Sequence, residues 1–154
     1  MKTILERLKA LGESDSTLID YVQRQEICAP RTLPDLALAQ VPFIGYAPIN
    51  SPEQWVAQRK EATHTVEAYL VLLHTVQETA ILGSDQKVGL LDFVANFESA
   101  VRGSFLPDPD DSTDYYLSKP LDITGVDYTT APYGDNYFLL ISTITLSCIR
   151  LFTP

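Results

Sequence analysis

Few residues in this chain have both the type and the spacing that chemistry needs. His64 and His74 are its two histidines. If the segment between them is a strand, their even separation puts both on one face but about 33 Å apart. They cannot share a metal ion at that distance and are expected as sheet residues. Cys28 and Cys148 form no CxxC pair and are too few for a disulfide framework. Two reduced, mostly buried thiols are expected. Gly83-Ser84-Asp85 lacks the flanking glycine of a nucleophile elbow and is expected to start a helix. No HExxH and no phosphate-binding glycine loop is present.

The aspartates Asp108, Asp110, Asp111 and Asp114, in the run PDPDDSTD, invite a calcium loop. Counted from Asp108, the position that needs glycine is Thr113 and the position that needs glutamate is Lys119. Both fail, and an acidic loop facing solvent or a lumen is expected instead. Carboxylates that work as an acid–base pair need a concave apolar setting, and nothing in the pattern announces one. No catalytic residue, cofactor or metal is therefore expected, and the chain is read as a non-enzyme. The aromatic residues are the better candidates for contact. Trp55, Tyr115, Tyr116, Tyr133 and Tyr137 fall in stretches read as loops, turns or strand ends. Amphipathic rings in such places serve protein–protein interfaces, with ordinary packing at a sheet edge as the alternative.

The elements that must position these residues follow from periodicity. Ile4, Leu5, Leu8 and Leu11 give a short amphipathic helix that Gly12 is placed to stop. Ser14 to Thr17 offers caps for a further turn or two through Leu18, Ile19 and Val22. Residues 23–34 are irregular, with Pro30 and Pro34 excluding a continuous helix. Residues 38–46, LAQVPFIGY, suit a strand in which Pro42 asks for an edge or a bulge. Ser51, Pro52 and Gln54 fit a helix start carrying Trp55, or a plain loop.

Residues 66–76, VEAYLVLLHTV, are apolar on both alternating faces, as in a central strand covered on both sides, with a buried helix as the competing form. Leu90, Val94, Phe97 and Val101 mark a helix over 88–102, with Leu91 widening its stripe and Gly103 as its C-cap. Residues 121–130 read as a strand, 131–136 as a turn, and 137–150 as the strongest strand, so the last two form an antiparallel hairpin. Fourteen residues extended span about 46 Å, against about 40 Å across a compact domain of this size. The final strand must cross the whole domain, project to complete a neighbour's sheet, or fold back at a bulge near Ser142.

The expected fold is α+β: a single domain over 1–154, with a mainly antiparallel sheet of about four to five strands flanked by two helices. The expected order is helix-strand-strand-helix-strand-strand. The chain has 154 residues, 45% hydrophobic and 20% charged, enough to bury a core unaided. Its formal net charge of −9 comes with scattered bases, which argues against binding to phosphate backbones. No signal peptide and no membrane-spanning run is visible, so a cytoplasmic product is expected.

This layout resembles the tail terminator, or tail completion, family of tailed bacteriophages, closest to the branch in Mu-like contractile phages. The resemblance rests on the N-terminal helix, the proline–apolar–glycine strand Val41-Pro42-Phe43-Ile44-Gly45-Tyr46, the long strand, and the helix over 88–102. It also rests on two closing strands ending in the aliphatic run Leu139-Leu140-Ile141 through Ile149-Arg150-Leu151. Residues 47–65 are longer and more polar than that pattern. The resemblance implies a virion structural protein of the tail and neck, made in the host bacterial cytoplasm. It implies a homohexameric ring, partnered by the tail tube protein and a head–tail connector or stopper protein, with the sheath a further candidate. DNA would pass through such a ring without being specifically bound. Another neck, tube or baseplate component, or a small cytoplasmic binding protein or enzyme, is the competing assignment.

Overall fold

The computed structural model describes residues 1–56, 58–75, 81–84 and 87–152. Its elements are α1 (Lys2–Ser14), α2 (Ser16–Ile19), β1 (Arg24–Ile27), a 3-10 turn (Leu38–Gln40) and β2 (Phe43–Asn50). There follow β3 (Glu53–Val56), β4 (Arg59–His74), α3 (Leu90–Val101), β5 (Asp122–Tyr133) and β6 (Tyr137–Phe152). The architecture is α+β, with one six-stranded, mostly antiparallel sheet ordered β1-β2-β4-β6-β5 and β3 paired to β4 beyond the end of β2. Six strands replace the expected four to five. The two additional strands, β1 and β3, are short and polar, RQEI and EQWV, so neither carries the apolar alternation that marks a strand in sequence.

The long strands come from β-branched and aliphatic runs. β4 and β6 pair without a break from Lys60↔Phe152 to His74↔Phe138. Even-numbered residues on both strands face the helices: Val66, Ala68, Leu70 and Leu72 on β4, and Leu140, Ile144, Leu146 and Cys148 on β6. Against them pack Ile4, Leu5 and Leu8 of α1 and Leu90, Phe93, Val94, Phe97 and Val101 of α3. Phe93 is fully buried, while Leu91, expected to widen the α3 stripe, points outward. Among the described residues the opposite face is covered at one end. There the 28–42 segment lays Cys28 and Leu36 over Phe43 and Val71. Arg31 donates its backbone N–H to Tyr69 Oη (2.8 Å), and Tyr133 Oη donates to the Leu36 carbonyl (2.6 Å).

Several local expectations change. Gly12 does not stop α1, which runs on to Ser14. A Cβ at Gly12 would lie 2.4 Å from Tyr46 Oη and 2.5 Å from Gln25 Oε1. The glycine is there so that α1 can close onto the sheet, and Asp15 then caps α2 by accepting from Thr17 and Leu18 N–H. Pro42 precedes β2, which lies inside the sheet, so neither an edge nor a bulge is needed to accommodate it. Trp55 is on a strand rather than a helix or loop, because β3 folds back on the start of β4. Gly103 takes φ +76 just past α3, as a C-cap glycine should. Val76, the end of the expected central strand, lies outside the described residues, as does Asp85 of the expected helix start. No helix among the described residues is long and apolar enough to cross a membrane.

Candidate functional site

The acidic loop is built on an arginine that the sequence did not single out. Arg7 faces inward from α1 and its side chain is 9% exposed. Its guanidinium donates to the carbonyls of Leu106 (2.9 Å) and Asp114 (3.0 Å), and to Asp108 Oδ2 (2.7 Å) and Asp114 Oδ2 (2.6 Å). Two of the four aspartates therefore clamp the loop to the helix and are not simply solvated. The other two, Asp110 and Asp111, are exposed. Asp111 accepts from the N–H and hydroxyl of Thr113, which holds its carboxyl below the usual range. No group of three or more His, Cys, Asp or Glu side chains that could hold a metal occurs among the described residues. The only signal for the clamp in the sequence was a basic residue beside the apolar stripe of α1.

The histidines lie on the same face of β4, opposite Cys148 and Phe138, ten residues apart along one strand. His64 Nδ1 is 2.9 Å from Ser51 Oγ. His74 is buried in the wall of a cleft of about 470 Å³, lined also by Tyr21, Val41, Pro42, Leu72, Lys87 and Tyr137. Desolvation holds the His74 pKa below its ordinary value, and the Lys87 charge acts in the same direction. The described lining offers apolar walls, two phenols and one cation, with no carboxylate to orient or receive a proton from the imidazole. Ser84, in the glycine–serine–aspartate motif, bridges to Lys87 through reciprocal backbone hydrogen bonds. Both cysteines are free and buried, and burial raises the Cys148 thiol to about 12.

The aromatic candidates divide. Tyr116 is committed internally: Arg150 stacks on its ring at 4.2 Å and donates to its hydroxyl at 2.9 Å, and Arg7 lies 5.3 Å from the same ring. Tyr133 is tied to Leu36 as described, and Tyr137 borders the cleft. Trp55 and Tyr115 remain 61% and 60% exposed, Tyr115 resting edge-on against Phe105. Tyr128, which forms a series with Tyr133 and Tyr137 through the closing hairpin, is 54% exposed in the middle of β5. Its signal was the run Asp127-Tyr128-Thr129-Thr130, polar at every position but one and so unable to cover a core on either face.

What these placements assemble is a pair of sheet edges. Of the courses open to the long last strand, β6 crosses the sheet without a bulge at Ser142 and is flanked by β4 and β5, so it has no edge to offer a neighbour. The strand order leaves the open edge to β5, which among the described residues is hydrogen-bonded along its β6 side only. Residues 127–130 are exposed on both faces, and the strand carries Asp122 and Asp127 with no base. The opposite margin is formed by β1 beside β2 and, past the end of β2 and paired to β4, by β3, whose four residues are all exposed. Trp55 and Val56 stand there beside Arg59 and Lys60. Lys60 is held by Glu53 at 2.7 Å, while Arg59 has no ion pair among the described residues. No protein-family model matches the chain. A comparison with the curated proteins finds no match.

Proposed function

We propose that this chain is a virion structural protein without catalytic activity, which forms a ring on the end of a phage tail tube. The ring ends tube elongation and offers its outer face to the head–tail connector. The observation that carries the reading is the unlike pair of sheet edges. A subunit with one long open acidic edge and a different margin carrying Trp55 and Arg59 joins copies head to tail, and such heterologous contacts form a ring where the rotation between copies closes. Two further features support it. The family resemblance rests on α1, the glycine-bearing β2, the long β4, α3 and the closing β5–β6 hairpin, which keep that sequence with α2, β1 and β3 inserted into it. Each subunit also brings a formal charge of −9, and a wall that repels phosphates suits a DNA conduit.

The test is a phage lacking this chain. Heads and tails should form but fail to join, with tubes uncapped and variable or overlong, and added purified protein should restore joining in the extract. Normal full-length virions from the deletion, or empty heads beside normally finished tails, would overturn the assignment. Purified protein that polymerised into open tubes would indicate a tube subunit instead.

A further inference from the structure

We infer that the ring closes by edge-to-edge pairing of sheets, β5 of one subunit against β3 of the next, matching Tyr128 to Trp55 and Asp127 to Arg59. The inference rests on the ring reading and names its interface. Unpaired strand edges are pairing templates, and among the described residues β5 and β3 each pair on one side only. β3 is antiparallel to β4, β4 to β6 and β6 to β5. Copies standing in the same orientation therefore bring β5 and β3 together antiparallel.

The two faces agree. Tyr128 is opposite Ser142, which is opposite Leu70, on the helix side of the sheet. Trp55 is opposite Lys60, also on the helix side by the unbroken alternation of β4. Asp127, opposite Thr143, and Arg59, opposite Val56, both belong to the other side. Setting Tyr128 against Trp55 in an antiparallel pair sets Asp127 against Val56, in the same row as Arg59. One register thus gives an aromatic cross-strand pair on one face and a carboxylate–guanidinium approach on the other.

Charge also disfavours the symmetric alternative. β5 against a second β5 would bring only aspartates as charged residues to the seam, and like charges across strands are destabilising. The register has a consequence for shape. Tyr128 lies at the level of Leu70 and Trp55 at the level of Lys60, so neighbours are offset by ten residues, roughly 33 Å along the strand. The strands would therefore be steeply inclined to the ring axis.

Disulfide trapping on the full chain tests this. The double variant Tyr128→Cys/Trp55→Cys, oxidised in solution, should give a ladder of covalent oligomers on a non-reducing gel, and each single variant should give none. Asp127→Arg or Arg59→Asp added to the double variant should lower the ladder yield about tenfold. Mixing the two reversed proteins should restore it, because every junction in an alternating ring is then matched. Dimers from Tyr128→Cys alone would show a symmetric β5 contact and overturn the inference, as would a ladder indifferent to both charge reversals. No ladder, with extract complementation still succeeding, would leave the terminator reading standing and remove this interface. Complementation failing as well would remove both.

Discussion

The guanidinium of Arg7 is satisfied by one loop, two carbonyls and two carboxylates together, so the loop from Leu106 to Asp114 depends on a residue about a hundred positions away. Removing it takes the cation from two aspartates and one of two donors from each of the Leu106 and Asp114 carbonyls, which keep the N–H of Tyr116 and of Asp108, in a site where the arginine is nearly buried. Arg7→Ala should cost about 2–4 kcal/mol, reduced from the fully buried case because Asp108 and Asp114 can turn to water. Replacing both Asp110 and Asp111 with Asn should change stability by less than about 0.5 kcal/mol. The amide introduced at position 111 keeps an oxygen for Thr113, and Asp110 receives its local support through its own N–H from Asp108. Urea denaturation of the two variants checks both statements, and equal midpoints would contradict the clamp. Buried Ser142 Oγ is a different case: no partner for it is found among the described residues, and nothing in the structure explains it.

At the scale of elements, β6 is the spine. It runs sixteen residues between β4 and β5, and its even-numbered residues form, with those of β4, the floor under α3. Leu146 is fully buried there, opposite Val66 and Ile123. Leu146→Asp places a carboxylate among aliphatic groups with no cation in reach, at a cost of several kcal/mol. The expected outcome is an unfolded or aggregated chain, read by loss of a cooperative thermal transition and of any assembly. A folded Leu146→Asp protein would mean that the alternation of β6 is opposite to the one described. β5, with more than half its positions exposed and a register shift between Ile123 and Gly125, has little to hold it apart from β6. That economy of contact is what leaves its outer edge available.

For the molecule as a whole, charge sets the relation to nucleic acid. Most of the acidic side chains from Asp108 onward lie in one loop and along β5, and several bases are already matched: Arg7 by the loop, Lys60 by Glu53, and Lys119 by Glu61. With a net −9 and no basic stripe, the isolated protein should show no measurable binding to duplex DNA at physiological salt. A gel shift with submicromolar affinity under those conditions would contradict a passive conduit.

Whatever depends on repeating apolar positions was legible in the sequence. α3, the long strands β4 and β6, the closing hairpin and the burial of both cysteines are local consequences of period and composition. The sequence also showed that the histidines could not meet, because an even separation along one strand fixes both their face and their distance. Tertiary structure alone decided the rest. β1 and β3 are strands because neighbours supply their hydrogen bonds, which four residues without apolar alternation do not announce. Gly12 is read as a stop or as a close contact according to what lies across from it, and only the fold puts Tyr46 there. Arg7 and the aspartates are separated by about a hundred residues, so no local pattern could join them. The open edge belongs to β5 and not to the longer β6 for the same reason: an edge is a property of strand order, and strand order is set by which sheets and helices can pack together, not by any strand's own residues.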